Sequence, residues 1–147
     1  MRIQPASKEH LEAWTRLRIA LWDLDSVTKH EAETLYLQGH PDRVAFLALD
    51  DGGAVVGFAE ATLRRDYVEG CDSSPVAFLE GIYVVPAARK TGVARALADA
   101  VAAWGRARGC TEYASNALLD NVDSHNFHAA IGFSETMRVV FFRKSIA

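Results

Sequence analysis

The sequence predicts a mixed α/β (α+β) fold, with a mixed central sheet flanked by helices. Three observations carry this expectation. Strand-like apolar runs gather in the first part of the chain, at Val44–Leu49, Ala54–Arg64 and Val76–Val85. A long helical pattern opens at Gly92, with Val93, Leu97, Val101 and Trp104 on one face. Beyond it, strand-like and helical segments alternate, the order expected of strands and helices that share one mixed sheet.

In chain order, Ser7 is a candidate N-cap for a helix whose apolar stripe is Leu11, Trp14, Leu17 and Leu21. Thr28-Lys29-His30-Glu31 has the form of a capping box, in which Thr and Glu satisfy each other's unpaired N–H groups. The short helix it predicts runs through Leu35 and Leu37 and ends at Gly39. Asp50-Asp51-Gly52-Gly53 joins the first two strand runs as a hairpin. A polar stretch, Asp66–Ser74, leads to the third run, which Pro86 closes. Gly109 stops the long helix, and Thr111–Ala117 reads as a further strand. Asp123 or Ser124 would cap a helix through Ile131, and Glu135–Lys144 is strand-like. With no repeat, linker or low-complexity tract, residues 1–147 are read as a single domain.

Composition narrows the function classes. The chain of 147 residues is 50% hydrophobic and 24% charged, ordinary for a folded protein with a core of its own. Its net charge of −3 speaks against a general nucleic-acid binder. No apolar run reaches the roughly 18 residues of a membrane span, and the N-terminus begins no signal-like segment. Cys71 and Cys110 form no C-x-x-C pair and suggest packing thiols in a reducing, cytoplasmic setting.

The segment richest in chemistry is Phe78–Ala94, a strand, a short loop with two cations, and a glycine at the mouth of a helix. Helix N-termini present unpaired N–H groups and partial positive charge, so a loop of this kind suits a pyrophosphate. Gly92 would let the backbone approach the phosphates, Ala94 keeps the first turn uncluttered, and Arg89 and Lys90 supply charge. By itself Arg-x-x-Gly-x-Ala is a weak pattern that a plain loop-to-helix turn also satisfies.

In its context of a preceding apolar strand, a following strand, and a helix ending at Gly132-Phe133, the pattern resembles the GCN5-related N-acetyltransferase (GNAT) superfamily. Within it, the chain resembles the aminoglycoside 6′-N-acetyltransferases almost end to end. The resemblance is carried by Ala20-Leu21-Trp22, Asp66–Val76, Phe78-Leu79-Glu80-Gly81-Ile82, Gly132-Phe133 and Arg138-Val139-Val140-Phe141. It implies a GNAT fold with a strand–loop–helix site for the acetyl-CoA pyrophosphate and no metal. It also implies a backbone pairing of Ile82, Tyr83 and Val84 with the pantetheine arm. Arg89, Lys90, Thr91, Gly92, Val93 and Ala94 would hold the pyrophosphate, and Asn121 would meet the cofactor further down. Trp22, Tyr67, Glu80 and Asn116 fall at aminoglycoside-contacting positions. Three residues depart from the subfamily's pattern: Asn116 stands for Asp, Met137 for Glu and Phe142 for Tyr. The first two remove negative charge from positions that would face a polycation.

The implied reaction moves an acetyl group from the thioester to the 6′-amine of an aminoglycoside. Because the amine is protonated at neutral pH, a base must relieve it of a proton, and Glu80 is the candidate. A strand N–H near Ile82 or Tyr83 would steady the charge that grows on the thioester oxygen. Many members of the superfamily place a Tyr four residues before the final Gly-Phe; His128 stands there and is the candidate acid.

Plainer roles remain open beside these. Trp22 lies at helical spacing from Leu11 and Leu21 and suits a core; Tyr67 suits a packed loop aromatic; Glu80 suits a hydrogen-bonded strand carboxylate. Arg89 and Lys90 suit a solvated surface, and His125 with His128 lacks the further ligands of a metal site. Two other functions stay in view: acetylation of another small amine such as a polyamine or amino sugar, and a non-catalytic acetyl-CoA-binding module. Relatives are often dimers, so a homodimer is expected, with the aromatic strand around Phe141 and Phe142 contributing. The small net charge also conceals a division. Asp66, Glu69, Asp72 and Glu80 lie together with no base between them, whereas Arg89, Lys90, Arg95, Arg106 and Arg108 are offset by Asp99 alone.

Overall fold

The computed structural model describes residues 1–23, 26–37 and 39–147. It divides into two compact units, Met1–Asn116 and Ala117–Ala147. In the first, strands β1 (Arg2–Pro5), β2 (Arg43–Leu49), β3 (Val55–Arg64), β4 (Val76–Val84) and β5 (Tyr113–Ser115) form one sheet in that order. The first four are antiparallel neighbours, and β5 joins β4 in parallel, so the sheet is mixed as expected. Helices α1 (Leu11–Leu21) and α2 (Val27–Leu37) precede β2, and α3 (Val93–Arg106) links β4 to β5. The second unit contains α4 (Val122–Ala130).

The first unit buries apolar side chains on both faces of its sheet. On one, Trp14 and Leu17 of α1 and Leu37 of α2 meet Ala45, Leu47, Leu49 and Phe58. On the other, Val93, Leu97, Val101 and Trp104, the stripe predicted for the long helix, meet Ala48, Ala59, Ala61 and Leu79. Complete burial of a side chain of Leu97's or Val101's size contributes on the order of 1.5–3 kcal/mol. The hairpin also forms as its residues predict: Asp50 Oδ1 accepts from the N–H groups of Gly52 and Ala54, both at 2.9 Å.

Several local expectations are corrected. Thr28 does not open α2. The hydroxyl of Ser26 accepts from Lys29 N–H at 3.1 Å, so the helix begins at Val27 and Thr28 is already inside it. Ser7 caps no backbone N–H with its side chain; it precedes a 3₁₀ turn, Lys8–His10, that leads into α1. Asn121, not Asp123 or Ser124, caps α4, accepting from Ser124 N–H at 3.2 Å. The strand read at Thr111–Ala117 shrinks to three residues, and β1 has no counterpart among the predicted strands. Glu135–Lys144 carries no strand, because a strand exists only through a ladder and this segment has none. Its aromatic pair is left open, with Phe141 88% and Phe142 91% exposed.

Candidate functional site

A β-bulge prepares the site. Glu60 of β3 pairs with Gly81 and Ala61 with Leu79, leaving Glu80 of β4 as the extra residue between them. A bulge breaks the strict alternation of side chains and re-aims the inserted one. Glu80 thereby comes to line the same cleft as Trp22 and Tyr67, a cavity of about 890 Å³ on the α1–α2 side of the sheet. Three of the four predicted substrate residues are thus gathered in one place. The fourth, Asn116, is exposed and immediately follows β5.

Each of the three is held differently. Trp22, at the C-terminal end of α1, meets Phe58 edge to face at 5.8 Å and packs against the core. It therefore serves the core and lines the cleft at once. Tyr67 is 74% exposed. Its loop is fastened beneath it: Val68 is buried with Val76 and Phe78, and Glu112 accepts from Asp72 N–H at 2.8 Å and from the Ser73 hydroxyl at 2.5 Å. Those donors hold the Glu112 carboxyl below its ordinary value. Glu80 Oε1 accepts from the Thr62 hydroxyl at 2.7 Å and from Arg64 Nη2 at 2.8 Å, while Oε2 accepts from Arg64 Nη2 at 3.0 Å.

The cleft also exposes a network that the sequence reading missed. Arg18 of α1 is buried, and its guanidinium donates to Glu60 of β3, Glu33 of α2 and Nδ1 of His30. Glu60 accepts a further bond from Trp14 Nε1 at 2.9 Å. Since Arg18 can only donate to His30 Nδ1, the proton of a neutral His30 resides on Nε2, which then donates to the Trp22 carbonyl at 2.9 Å. Burial pushes the Glu60 carboxyl up, and Arg18 is the largest influence against that rise. Glu60 interrupts an apolar strand run and Arg18 sits beside Leu17 in the helix stripe, so a charge inside an apolar pattern was the available signal.

Past Glu80 the sheet opens. The β4–β5 ladder covers Ala77, Phe78 and Leu79 and ends where the Ser115 hydroxyl donates to the Leu79 carbonyl at 3.2 Å. Ile82, Tyr83 and Val84 keep β3 on one side and have no β5 partner on the other. The chain then turns through Pro86–Ala88 to Arg89, whose Nε donates to the Val84 carbonyl at 2.8 Å. Lys90 takes a left-handed backbone at φ +62°, and Gly92 at φ +87° precedes the first residue of α3. No side chain caps this helix and no acid lies in its first turn. A Cβ at Gly92 would meet nothing within 4 Å. Open space, unspent N–H groups and nearby cations are what a bound pyrophosphate requires, so Arg89–Ala94 fit the group.

Asn121 and His128 belong to the second unit. Asn121 spends its side-chain oxygen on capping α4. His128 Nδ1 lies 2.7 Å from the Ser124 carbonyl, and a carbonyl only accepts, so Nδ1 carries a proton. His125 Nε2 faces the Leu118 carbonyl at 2.9 Å, and among the described residues no three metal-ligating side chains gather. Both cysteines are free thiols pushed up by burial. Among the described residues no helix is long and apolar enough to cross a membrane.

Known proteins match this arrangement over nearly its whole length. Residues 9–133 fit the model of the Acetyltransferase (GNAT) family. An aminoglycoside N(6′)-acetyltransferase type 1 of Serratia marcescens is 49% identical over 138 residues, 94% of each chain. Its namesake from Salmonella enteritidis is 46% identical over 98% of this chain and 99% of its own. The crystal structure of the aminoglycoside antibiotic 6′-N-acetyltransferase AAC(6′)-Ig from Acinetobacter haemolyticus covers 100% of both chains at 44% identity, with a TM-score of 0.95. AAC(6′)-Iy, solved with the bisubstrate analogue CoA-S-monomethyl-acetylneamine, is 45% identical, with a TM-score of 0.94 over 98% of this chain and 97% of that one.

Proposed function

The chain belongs to the acetyltransferase (GNAT) family, and from that premise we propose that it transfers an acetyl group from acetyl-CoA to the 6′-amine of aminoglycoside antibiotics, conferring resistance. The observation that carries this reading is the run of β4. Glu80 faces a cleft it shares with Trp22 and Tyr67, and two residues later the strand continues along an edge free of β5 toward the uncapped N-terminus of α3. The family match runs from the first unit into the second, which supports reading residues 1–147 as a single acetyltransferase domain.

Arg89–Ala94 would hold the pyrophosphate, and the backbone of Ile82–Val84 would align the pantetheine arm. Acetyl-CoA, when bound, supplies an acetyl group already activated as a thioester. Glu80 takes the proton of the incoming ammonium, directly or through a water. A β4 N–H near Ile82 or Tyr83 faces the charge that builds on the acyl oxygen. Trp22, Tyr67 and Asn116 orient the sugar rings. His128 is assigned as the acid for the departing thiolate. With Nδ1 already protonated, only its imidazolium form has a proton to give from Nε2.

The reaction assignment is tested by following thiol release from acetyl-CoA with a panel of aminoglycosides, polyamines and amino acids. Release with 6′-amino aminoglycosides is expected. Release with polyamines alone would move the substrate class, and no release with any amine would leave a binding module. We also infer a cytoplasmic homodimer, supported by the free thiols and by the exposed, strand-like C-terminal segment around Phe141 and Phe142. Light scattering of the purified protein, expected at twice the 16.1 kDa of one chain, checks the assembly.

A further inference from the structure

The cleft proposed to receive a polycation carries its own cations. Arg18, Arg43, Arg64 and Arg65 line it, against Glu33, Glu60, Asp66 and Glu80. Two of these carboxylates, Glu60 and Glu80, are engaged by arginines in contrasting ways. The Arg18–Glu60 pair is sealed in, with side chains 4% and 6% exposed. The Arg64–Glu80 pair is open, at 42% and 31%. Arg64 leaves the end of β3, lays its guanidinium over the Phe78 ring at 3.5 Å, and grips both oxygens of Glu80. The position in front of Glu80 where a substrate ammonium would sit is therefore filled by a cation from the same chain.

We propose that Arg64 is an exchangeable counter-cation: the reactive ammonium of the substrate displaces it from Glu80, and Arg64 thereby sets how strongly cationic amines are selected. This rests on the reading of Glu80 as the group that meets the 6′-amine. Burial decides which of the two arginines can do this. Releasing Arg18 would strand Glu60 without its charge partner in the interior, whereas Arg64 moves from an exposed pair into water, where such pairs are weak. Thr62 stays on Glu80 Oε1 through the exchange and keeps the carboxylate aimed. The competition also filters ligands, since a neutral amine or an alcohol at the 6′ position gives Glu80 no ion to take in place of the guanidinium.

The test is calorimetric binding of neamine to the full chain without acetyl-CoA, so that no turnover is needed, for wild type, Arg64→Met and Arg64→Lys. Met keeps cover over Phe78 and removes the charge. The expected result is a Kd for neamine lower by about five-fold in Arg64→Met, with Arg64→Lys between it and wild type. The analogue carrying a 6′-hydroxyl in place of the amine should show no such gain, a difference that a merely structural role for Arg64 would not produce. In the unmodified protein, the Arg64 Nε–H, which donates to Glu80 Oε1 at 3.2 Å, should lose its protection from solvent when neamine is added. Weaker or unchanged neamine binding in Arg64→Met, an equal gain for the 6′-hydroxyl analogue, or an Arg64 Nε–H unmoved by neamine would each overturn the proposal. Failure of the wild type to release thiol with any aminoglycoside would instead refute the proposed reaction, and the binding comparison reads Arg64 separately from it.

Discussion

Trp22 occupies the space that a side chain at position 81 would need. A Cβ built on Gly81 would overlap Cζ2 of the indole and lie 2.5 Å from Cη2, with Leu21 Cδ2 at 3.1 Å. The glycine is therefore required by a neighbour across the sheet face and not by its own backbone.

Gly81→Ala is accordingly expected to push Trp22 out of place. Overpacking of this kind costs about 1–3 kcal/mol. The loss should appear in the urea midpoint, together with a raised KM for the aminoglycoside, because the displaced ring lines the cleft. An alanine variant with unchanged stability and KM would mean that Trp22 relocates freely.

The Gly81 contact shows what a linear pattern can and cannot disclose. The stripe Val93, Leu97, Val101 and Trp104 was legible because every member faces the sheet, so burial and period coincide. The bulge at Glu80 was not legible, since an alternating strand carries no mark of an inserted residue. The α2 cap was misplaced because Ser26 and Thr28 both offer a hydroxyl, and only the folded chain shows which one meets an N–H. Glu135–Lys144 has the residues of a strand but forms no ladder. At the site, the resemblance supplied Trp22, Tyr67 and Glu80 but not the arginines opposite them. Arg64 and Arg65 stand just before the acidic tract, which begins at Asp66.

Glu80→Gln keeps the shape of the side chain and removes the proposed base. General-base removal lowers turnover by about 10²–10⁴. Steady-state kcat with a 6′-amino aminoglycoside measures this, and full turnover retained across the pH range would end the assignment of Glu80 as base.

Gly92→Ala meets no steric obstacle, so its cost is the backbone's alone. Holding a non-glycine residue at φ +87° costs about 1 kcal/mol, equivalent to a Tm lower by roughly 3 °C in a chain of this size. KM for acetyl-CoA should rise while KM for the amine stays near its original value; a matched rise in both would detach Gly92 from the pyrophosphate.

Arg18→Met should be far more damaging than Arg64→Met. Removing the partner of a buried charge costs about 3–5 kcal/mol, against about 0–1 for an exposed pair. The two denaturation curves compare these directly. Burial already pushes the Glu60 carboxyl up, so its folded value exceeds its unfolded one. The native state then holds the extra proton, and Arg18→Met should regain stability as the pH is lowered and the stranded charge is neutralised. A deficit that widens in acid would contradict this account.

Glu112 gives the opposite sign. Its carboxyl is held below the ordinary 4.5 by the Ser73 hydroxyl and the Asp72 N–H. A depressed carboxylate contributes stability that is present above its unfolded value and lost as pH falls through the folded one. The difference in urea midpoint between wild type and Glu112→Gln should therefore be steady near neutrality and close as the pH falls below about 4.5. A gap that persists unchanged in strong acid would rule out the carboxylate as the fastening of the Tyr67 loop.

The short β5 has a consequence for handling the protein. Beyond Leu79, β4 presents an edge that β5 leaves uncovered, and such an edge can be joined by a strand from another molecule. An extended ligand laid along it would shield that edge as well as react there. Acetyl-CoA should thus act as a preservative, slowing aggregation on storage and adding about 2.7 kcal/mol of apparent stability at one hundred times its Kd.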